Sequence, residues 1–292
     1  MDKIPPGSDR SLGVSEILLR QYSQLVSKPK ASEKRRQSPA EYFRWQVETS
    51  PALFELLPNL QLTGMRVLEI GCGLGGRSAW LAQQGPAEVV AIDINGPEID
   101  RARELAQEHF PELRRLTYLH SQQDVKLNIA DFDVVLLIDS MEHVLSPYKI
   151  LKLAYSYTRK GGRVYFTTCG WYHHAGSHTG IPFVNLFFSD KTILNVIRWQ
   201  VSRPDYRPSM WDSDPPIARW QGIYDLRDRP GEHLNKVTIR QMRKLVRHSG
   251  FSVSKLHVLG FRNPKFKWLN PLSRIPGVQE VFHSCVVGEF LK

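Results

Sequence analysis

Cysteine is scarce in this chain: three residues in 292, at positions Cys72, Cys169 and Cys285. Odd in number, far apart and without a Cys-x-x-Cys pair, they indicate neither a disulfide framework nor a structural zinc site. Long apolar runs are missing too, since no stretch approaches the ~18 residues of a membrane span. The opening MDKIPPGSDRSLG lacks the apolar centre of a secretory leader. These shortages lead to the expectation of a cytoplasmic protein with no transmembrane segment. Acidic residues are outnumbered 29 to 39 by basic ones, giving a net charge of +10. An excess of that size serves solubility, an anionic substrate or nucleic acid equally well, so charge excludes none of them. Much of it sits in Lys28, Lys30, Lys34, Arg35 and Arg36, beside Ser and Pro, which reads as a solvated linker.

What the chain does have is a change of rhythm. Helical patterns run from Val14 to Val26 and again from Ser38, where Ser-Pro-Ala-Glu supplies an N-cap, a proline in the first turn and Glu41 for a capping box. From Met65 short apolar runs alternate with helical stretches. Strands are expected over Arg66 to Ile70, Glu88 to Ile94, Arg115 to His120, Phe132 to Ile138 and Gly162 to Thr168. They are rich in Val, Ile, Leu and Phe without clean alternation, as in parallel strands covered on both faces. About seventy residues of aromatic and Pro-rich texture follow, including a helix capped by Ser189 that carries Ile193, Leu194 and Ile197. An amphipathic helix over Thr238 to His248 then leads to apolar runs at Phe251 to Leu259 and Val281 to Phe290, suited to antiparallel pairing. The fold class expected is α/β, a doubly wound, mostly parallel sheet with an N-terminal helical cap and an insertion after the fifth strand. The corresponding divisions are 1–60 (cap and basic linker), 61–170 (core), 171–237 (insertion or lid) and 238–292 (terminal helix and strands).

The stretch VLEIGCGLGG, residues 67–76, contains Gly71, Gly73 and Gly76 in the spacing G-x-G-x-x-G. By itself that spacing is weak evidence. In a dinucleotide site the turn receives a pyrophosphate, which a fixed carboxylate would repel. Here Glu69 stands two residues before the first glycine. A ligand bearing an ammonium and a sulfonium tolerates such an acid. Asp93 closes the second strand, where a carboxylate can accept from both ribose hydroxyls, but this is shared with NAD sites and discriminates nothing.

Four segments in order resemble the class I S-adenosylmethionine-dependent methyltransferases, in the small-molecule group related to ubiquinone/menaquinone methyltransferases. They are VLEIGCGLGG, VVAIDIN, FDVVLLIDSMEHV and LKLAYSYTRKGGRVYFTT, covering about Met65 to Thr168. The terminal pair of strands matches the family's seven-stranded sheet. The resemblance implies S-adenosyl-L-methionine as cofactor, with Glu69, Gly71, Cys72 and Gly73 along its methionine part and Asp93 and Ile94 at the ribose. It further implies that Asp139, Ser140 and Glu142 border the methyl group. An acidic residue after the third strand usually bonds the adenine amine; the segment HSQQD leaves Ser121, Gln123 and Asp124 as contenders.

Transfer to a hydroxyl needs a base, and an imidazole suits that role near neutrality. The candidates are His143 and, beyond the fifth strand, His173, His174 and His178. His174 and His178 have helical metal-ligand spacing, yet Gly176 and Ser177 between them argue against a helix, so no metal is assigned. Trp171, Tyr172, Phe183 and Phe187 are the expected acceptor-binding residues, within an aromatic lid that excludes water. A basic, Trp-bearing surface is also compatible with membrane docking. The expected activity is methylation of a small aromatic or apolar metabolite, with oxygen favoured over nitrogen or carbon. RNA methylation and a non-catalytic cofactor-binding scaffold are the alternatives. Asp214-Pro215-Pro216 superficially resembles a nucleic-acid methylation motif but lies outside the fourth-strand position where that motif belongs. The expected partner is a small-molecule acceptor; nucleic acid is disfavoured, and a homodimer is the one self-association considered.

Overall fold

Seven of the apolar runs pair into one sheet in the computed structural model, which describes residues 13–26, 38–121, 130–174, 181–204 and 235–292. Strands β1 (Arg66–Ile70), β2 (Glu88–Asp93), β3 (Leu116–His120), β4 (Phe132–Ile138) and β5 (Thr158–Thr168) are parallel neighbours in the order β3-β2-β1-β4-β5. At the β5 edge β7 (Cys285–Leu291) lies antiparallel between β5 and β6 (Val253–Leu259). The expected doubly wound, seven-stranded α/β architecture is therefore the observed one.

Four strand starts differ from the sequence pattern: β3 and β6 begin slightly later, at Leu116 and Val253, and β5 and β7 are displaced further. β5 begins at Thr158 rather than Gly162, because Thr158 already pairs with Phe132 before the register slips to Val134 and Arg163. Gly161, at φ +75°, absorbs that slip in a left-handed conformation open to glycine. β7 begins at Cys285, since Val281 only closes a 3₁₀ turn over Val278–Glu280. Two further 3₁₀ turns, Pro264–Leu269 and Leu272–Arg274, occupy the same β6–β7 connection.

Alternation along each strand divides the core into two layers. Val135 and Leu137 face a cluster with Leu151 and Ala154 of α5 (Pro147–Tyr157) and with Ile239, Met242 and Val246 of α8 (Ile239–Arg247). Val134, Leu136 and Ile138 face Phe54 of α2 (Pro39–Phe54) and Leu81 of α3 (Gly76–Ala82). Beside them α4 (Gly96–His109) packs Ile99, Ala102 and Leu105 around Phe43, Cys72 and Tyr118. The capping box expected at Ser38 is present: its hydroxyl accepts from the Glu41 N–H at 3.2 Å, while its own N–H donates to Glu41 Oε2 at 2.7 Å.

After β5 come α6 (Val184–Phe187) and α7 (Asp190–Val201), the latter capped by Ser189. They share one apolar cluster with α1 (Val14–Val26), in which Leu19 meets Trp171, Ile181, Val184, Ile193 and Ile197. The first helix and the segment after β5 are thus packed together as one apolar unit. Among the described residues no helix is long and apolar enough to cross a membrane. The basic run at residues 28–36 and Asp214-Pro215-Pro216 lie outside the described residues.

Candidate active site

Strand order reverses between β1 and β4, and the carboxyl ends of these neighbours form the crevice where open α/β sheets bind ligands. Gly71 leaves β1 at φ +82°, and a Cβ there would lie 2.7 Å from the Ser140 Cβ that follows β4. Only glycine fits that approach. Ser140 itself, buried, donates its hydroxyl to the Ile70 carbonyl at 3.2 Å, tying the two strand ends together. The next residues are held from the β2 side. Gly71 and Cys72 donate their N–H groups to the Ile92 carbonyl at 2.8 and 3.2 Å. Gly73 donates to Asp93 Oδ2 at 2.8 Å, while Asp93 Oδ1 accepts from the Asn95 N–H at 2.9 Å. Cys72 is buried in the α4 cluster, and burial pushes its thiol well above the usual range. Beyond Asp93 the side chain of Ile94 is 43% exposed, an apolar lip whose carbonyl meets His120 Nε2 at 2.9 Å. Ser121 is drawn to the same place by its N–H, which donates to the Asp93 carbonyl at 2.8 Å. Gln123 and Asp124 lie outside the described residues.

Beside this turn three carboxylates, Glu69, Asp139 and Glu142, gather around one arginine, Arg77. Glu69, 2% exposed on β1, accepts from the Ser78 hydroxyl, and burial lifts its pKa to about 7. Asp93 and Asp139 add to that rise while Ser78 and Arg77 oppose it. Asp139 sits just past β4 in a left-handed conformation, φ +49°. Its N–H donates to Thr167 Oγ1 at 3.0 Å, and its Oδ1 accepts from the same hydroxyl at 2.8 Å. Its Oδ2 pairs with Arg77 Nη2 of α3 at 2.8 Å. Glu142 is buried on the 3₁₀ turn Met141–His143, where its Oε2 accepts from the Thr168 hydroxyl at 2.9 Å. Burial, with Asp139 nearby, lifts its pKa to about 8. Asn235 holds this turn from outside: its amide donates to the Met141 and Val144 carbonyls at 2.6 and 3.1 Å, and its N–H to the Glu142 carbonyl at 2.7 Å.

A pyrophosphate of a dinucleotide would need the N-terminus of α3. That place is taken by α2. The Gly76 N–H donates to Gln46 Oε1 at 3.1 Å, and a Cβ on Gly76 would lie 2.3 Å from the Phe43 carbonyl oxygen. The helix end is thus sterically closed to a pyrophosphate, and the carboxylates beside the turn, once ionised, favour positive over negative ligand charge.

Of the histidines, His143 is half-buried on the same 3₁₀ turn as Glu142. His173 and His174 follow Gly170, with ring centroids 4.1 Å apart, and His173 meets His283 at 4.8 Å. Pattern reading missed His283. Fully buried before β7, it accepts at Nε2 from the Gly170 N–H at 3.3 Å, and burial pulls its pKa down to about 4. Burial also lowers the pKa of His174. Among the described residues no group of His, Cys, Asp and Glu is arranged to hold a metal ion; His178 lies outside them. Trp171 is buried, with its N–H donating to the Val237 carbonyl at 3.1 Å. Tyr172 packs beside it, and Phe183, at φ +57°, meets Phe282 at 6.1 Å. Phe187 is apart from these, 72% exposed at the end of α6. Arg77, Thr167, Thr168, Gln46 and Asn235 were also not singled out from sequence; the last carried no motif, and the two threonines lay inside a quoted one without drawing attention.

A family model described as a methyltransferase domain matches residues 42–256. The ubiquinone biosynthesis O-methyltransferase of Coxiella burnetii is 30% identical over 113 residues, 38% of this chain and 46% of that protein. The protein of the same description from Aliivibrio fischeri is 33% identical over 109 residues, 37% of this chain and 45% of its own. The matched stretch therefore spans about half the length of these curated relatives. Among solved structures, phosphoethanolamine N-methyltransferase 2 of Haemonchus contortus in complex with S-adenosyl-L-methionine superposes with a TM-score of 0.52 at 13% identity, over 93% of this chain and 60% of that one. It shares the fold.

Proposed function

The chain belongs to the methyltransferase-domain family, and from that premise we propose that it transfers a methyl group from S-adenosylmethionine to an oxygen of a small aromatic or apolar metabolite. The observation that carries the donor is the gathering of Glu69, Asp139 and Glu142 around Arg77, with Asp93 pinned at the Gly71–Gly73 turn beside them. Such a field suits a cationic ligand and repels a phosphorylated one. When bound, the donor supplies an electrophilic methyl on a positively charged sulfur.

The chain's own residues then do four things. Gly71 and Gly73 let an amino-acid tail lie against the backbone, and Asp93, pinned by two N–H groups, presents its remaining lone pairs to ribose hydroxyls. Ile94 offers an apolar face to the adenine, with Ser121 at its edge. Asp139, Ser140 and Glu142 border the methyl position. On the acceptor side Trp171, Tyr172 and Phe183 form the wall, α6 and α7 exclude water, and Phe187 lies at the rim. Holding the acceptor oxygen in line accounts for up to ~7–11 kcal/mol of rate acceleration. His143, on the turn that carries Glu142, takes the hydroxyl proton, with His173 and His174 as the second source of a neutral imidazole.

Calorimetry with S-adenosylmethionine, S-adenosylhomocysteine and NAD tests the donor, and turnover of a phenol and alcohol panel tests the acceptor. Saturable heat with the first two ligands, lost in Asp93→Ala, is expected; NAD binding without them overturns the reading. Loss of turnover in His143→Gln with donor binding intact supports the base. Equal loss confined to His174→Gln moves the role there.

A further inference from the structure

We propose that the β6–β7 connection, over residues 262–277, is a docking surface for a bilayer carrying anionic headgroups. From Arg262 to Trp268 every residue is exposed, and exposure returns over Arg274 to Gly277. Within it Trp268 is 74% exposed, Phe266 46% and Ile275 45%. Three large apolar side chains standing out of one short connection are exposed apolar surface of the kind that marks a contact site.

Charge decides what it contacts. Residues 262–279 contain Arg262, Lys265, Lys267 and Arg274 and no acidic residue. Arg262 is committed to the fold through the Ala52 carbonyl at 3.0 Å. Lys265 and Lys267 alternate with Phe266 and Trp268 on the 3₁₀ turn Pro264–Leu269. Rings that enter the headgroup–acyl boundary, flanked by ammonium groups that reach lipid phosphates, are the chemistry of an interfacial anchor. A second copy would bring the same cations against themselves.

The patch is also rigidly presented. Asn263 caps the turn by accepting from the Lys265 N–H at 3.0 Å. Asn270 bridges its base, accepting from the Phe261 N–H at 2.6 Å and donating to the Phe261 carbonyl at 3.3 Å. Phe261 is the buried foot: its ring meets Phe266 at 6.0 Å above and His174 at 4.9 Å below. Ordering is therefore already done in the free protein, and Phe261 links the exposed tip to His174 beyond β5. With no crossing helix among the described residues, the contact is peripheral.

The inference stands independently of the proposed reaction. Its test is sedimentation of the full chain with vesicles of phosphatidylcholine alone and of equal parts phosphatidylcholine and phosphatidylglycerol. Binding to the anionic vesicles, weakened by salt, is expected. Trp268→Ser with Phe266→Ser should lower partitioning by about tenfold or more, and Lys265→Glu with Lys267→Glu should abolish the preference for anionic lipid. These side chains are exposed, so an unchanged unfolding temperature checks that each variant folds. Absence of wild-type binding, or variants that bind like wild type, overturns the proposal. So does vesicle-independent self-association of the wild type that Trp268→Ser removes, because the patch then serves a second copy.

Discussion

Arg77 Nη2 lies 2.8 Å from Oδ2 of Asp139, joining the first helix after the glycine turn to a residue that β4 delivers in a left-handed conformation. Arg77 is 12% exposed and Asp139 42%, so solvent screens the pair from one side only. The same guanidinium lowers the pKa of both Glu69 and Glu142. Arg77→Met should therefore destabilise the fold modestly, by about 1 kcal/mol after discounting for that screening. Its stronger effect should be on titration: both buried glutamates should hold their protons to higher pH than in the wild type. Denaturant unfolding and carboxyl NMR titration measure the two effects, and unchanged glutamate titration would refute the shared-cation arrangement.

Glu69 and Glu142 set the sign of the pH dependence. Each has a folded pKa, about 7 and about 8, raised above the ordinary glutamate value of 4.5. Below that ordinary value both states are protonated and the contribution to stability is complete. As pH climbs, the unfolded chain releases the protons first, so stability falls through the window that ends near 8. Glu142→Gln should make the slope of unfolding free energy against pH shallower by at most about 1.4 kcal/mol per unit. Under the proposed function a cationic donor binds the ionised form, so its affinity should tighten with pH by up to about tenfold per unit. The uncharged sulfur of S-adenosylhomocysteine should show less of this.

Gly71→Ala is expected to damage the site more than its size suggests. The methyl would occupy a left-handed φ of +82° and approach the Ser140 Cβ to 2.7 Å. Strain of about 1–3 kcal/mol follows unless β1 and β4 separate at their tips. Since the Ser140 hydroxyl also bonds the Ile70 carbonyl, separation would cost that contact as well. Ser140→Gly in the same chain should recover only the clash component, less the hydroxyl bond to Ile70 that it also removes. Donor affinity and unfolding temperature of the single and double variants distinguish the clash from φ strain alone, which the second change cannot relieve.

Much of this was readable without coordinates, for a physical reason. Parallel strands covered on both faces need continuous apolar residues, so Arg66–Ile70 and Phe132–Ile138 were recognisable by composition, and Ser38 and Ser189 marked helix starts by their capping chemistry. Boundaries were lost where backbone geometry decides, as at the Gly161 slip in β5 and the 3₁₀ turn ending at Val281. Within the site, the glycine turn and Asp93 are local to one βαβ unit, and their motif announces them. The contacts that orient the remaining groups are not local. Thr168 reaches Glu142 across 26 residues, Arg77 reaches Asp139 across 62, and Gly170 reaches His283 across 113. No spacing rule connects such pairs; only the strand order does.

Asn235 gives the sharpest separation of these levels, because it lies at the end of the insertion in sequence and holds the turn after β4 in space. Its amide donates to the Met141 and Val144 carbonyls, at 2.6 and 3.1 Å, while its N–H takes the Glu142 carbonyl at 2.7 Å. Asn235→Ala keeps the last bond and loses the first two, leaving a half-buried turn with unpaired carbonyls at an expected cost of about 1–3 kcal/mol. Asn235→Asp should be worse, since it places a carboxylate against two carbonyl oxygens near Glu142 and Asp139. Asp93 and the glycine turn are not touched, so donor affinity should change less than twofold or threefold, while kcat for acceptor methylation falls through misplacement of Glu142 and His143. Parallel losses of donor affinity and kcat would show instead that the turn after β4 and the glycine turn move as one body, and Asn235 would then be a general fold determinant rather than a positioning residue.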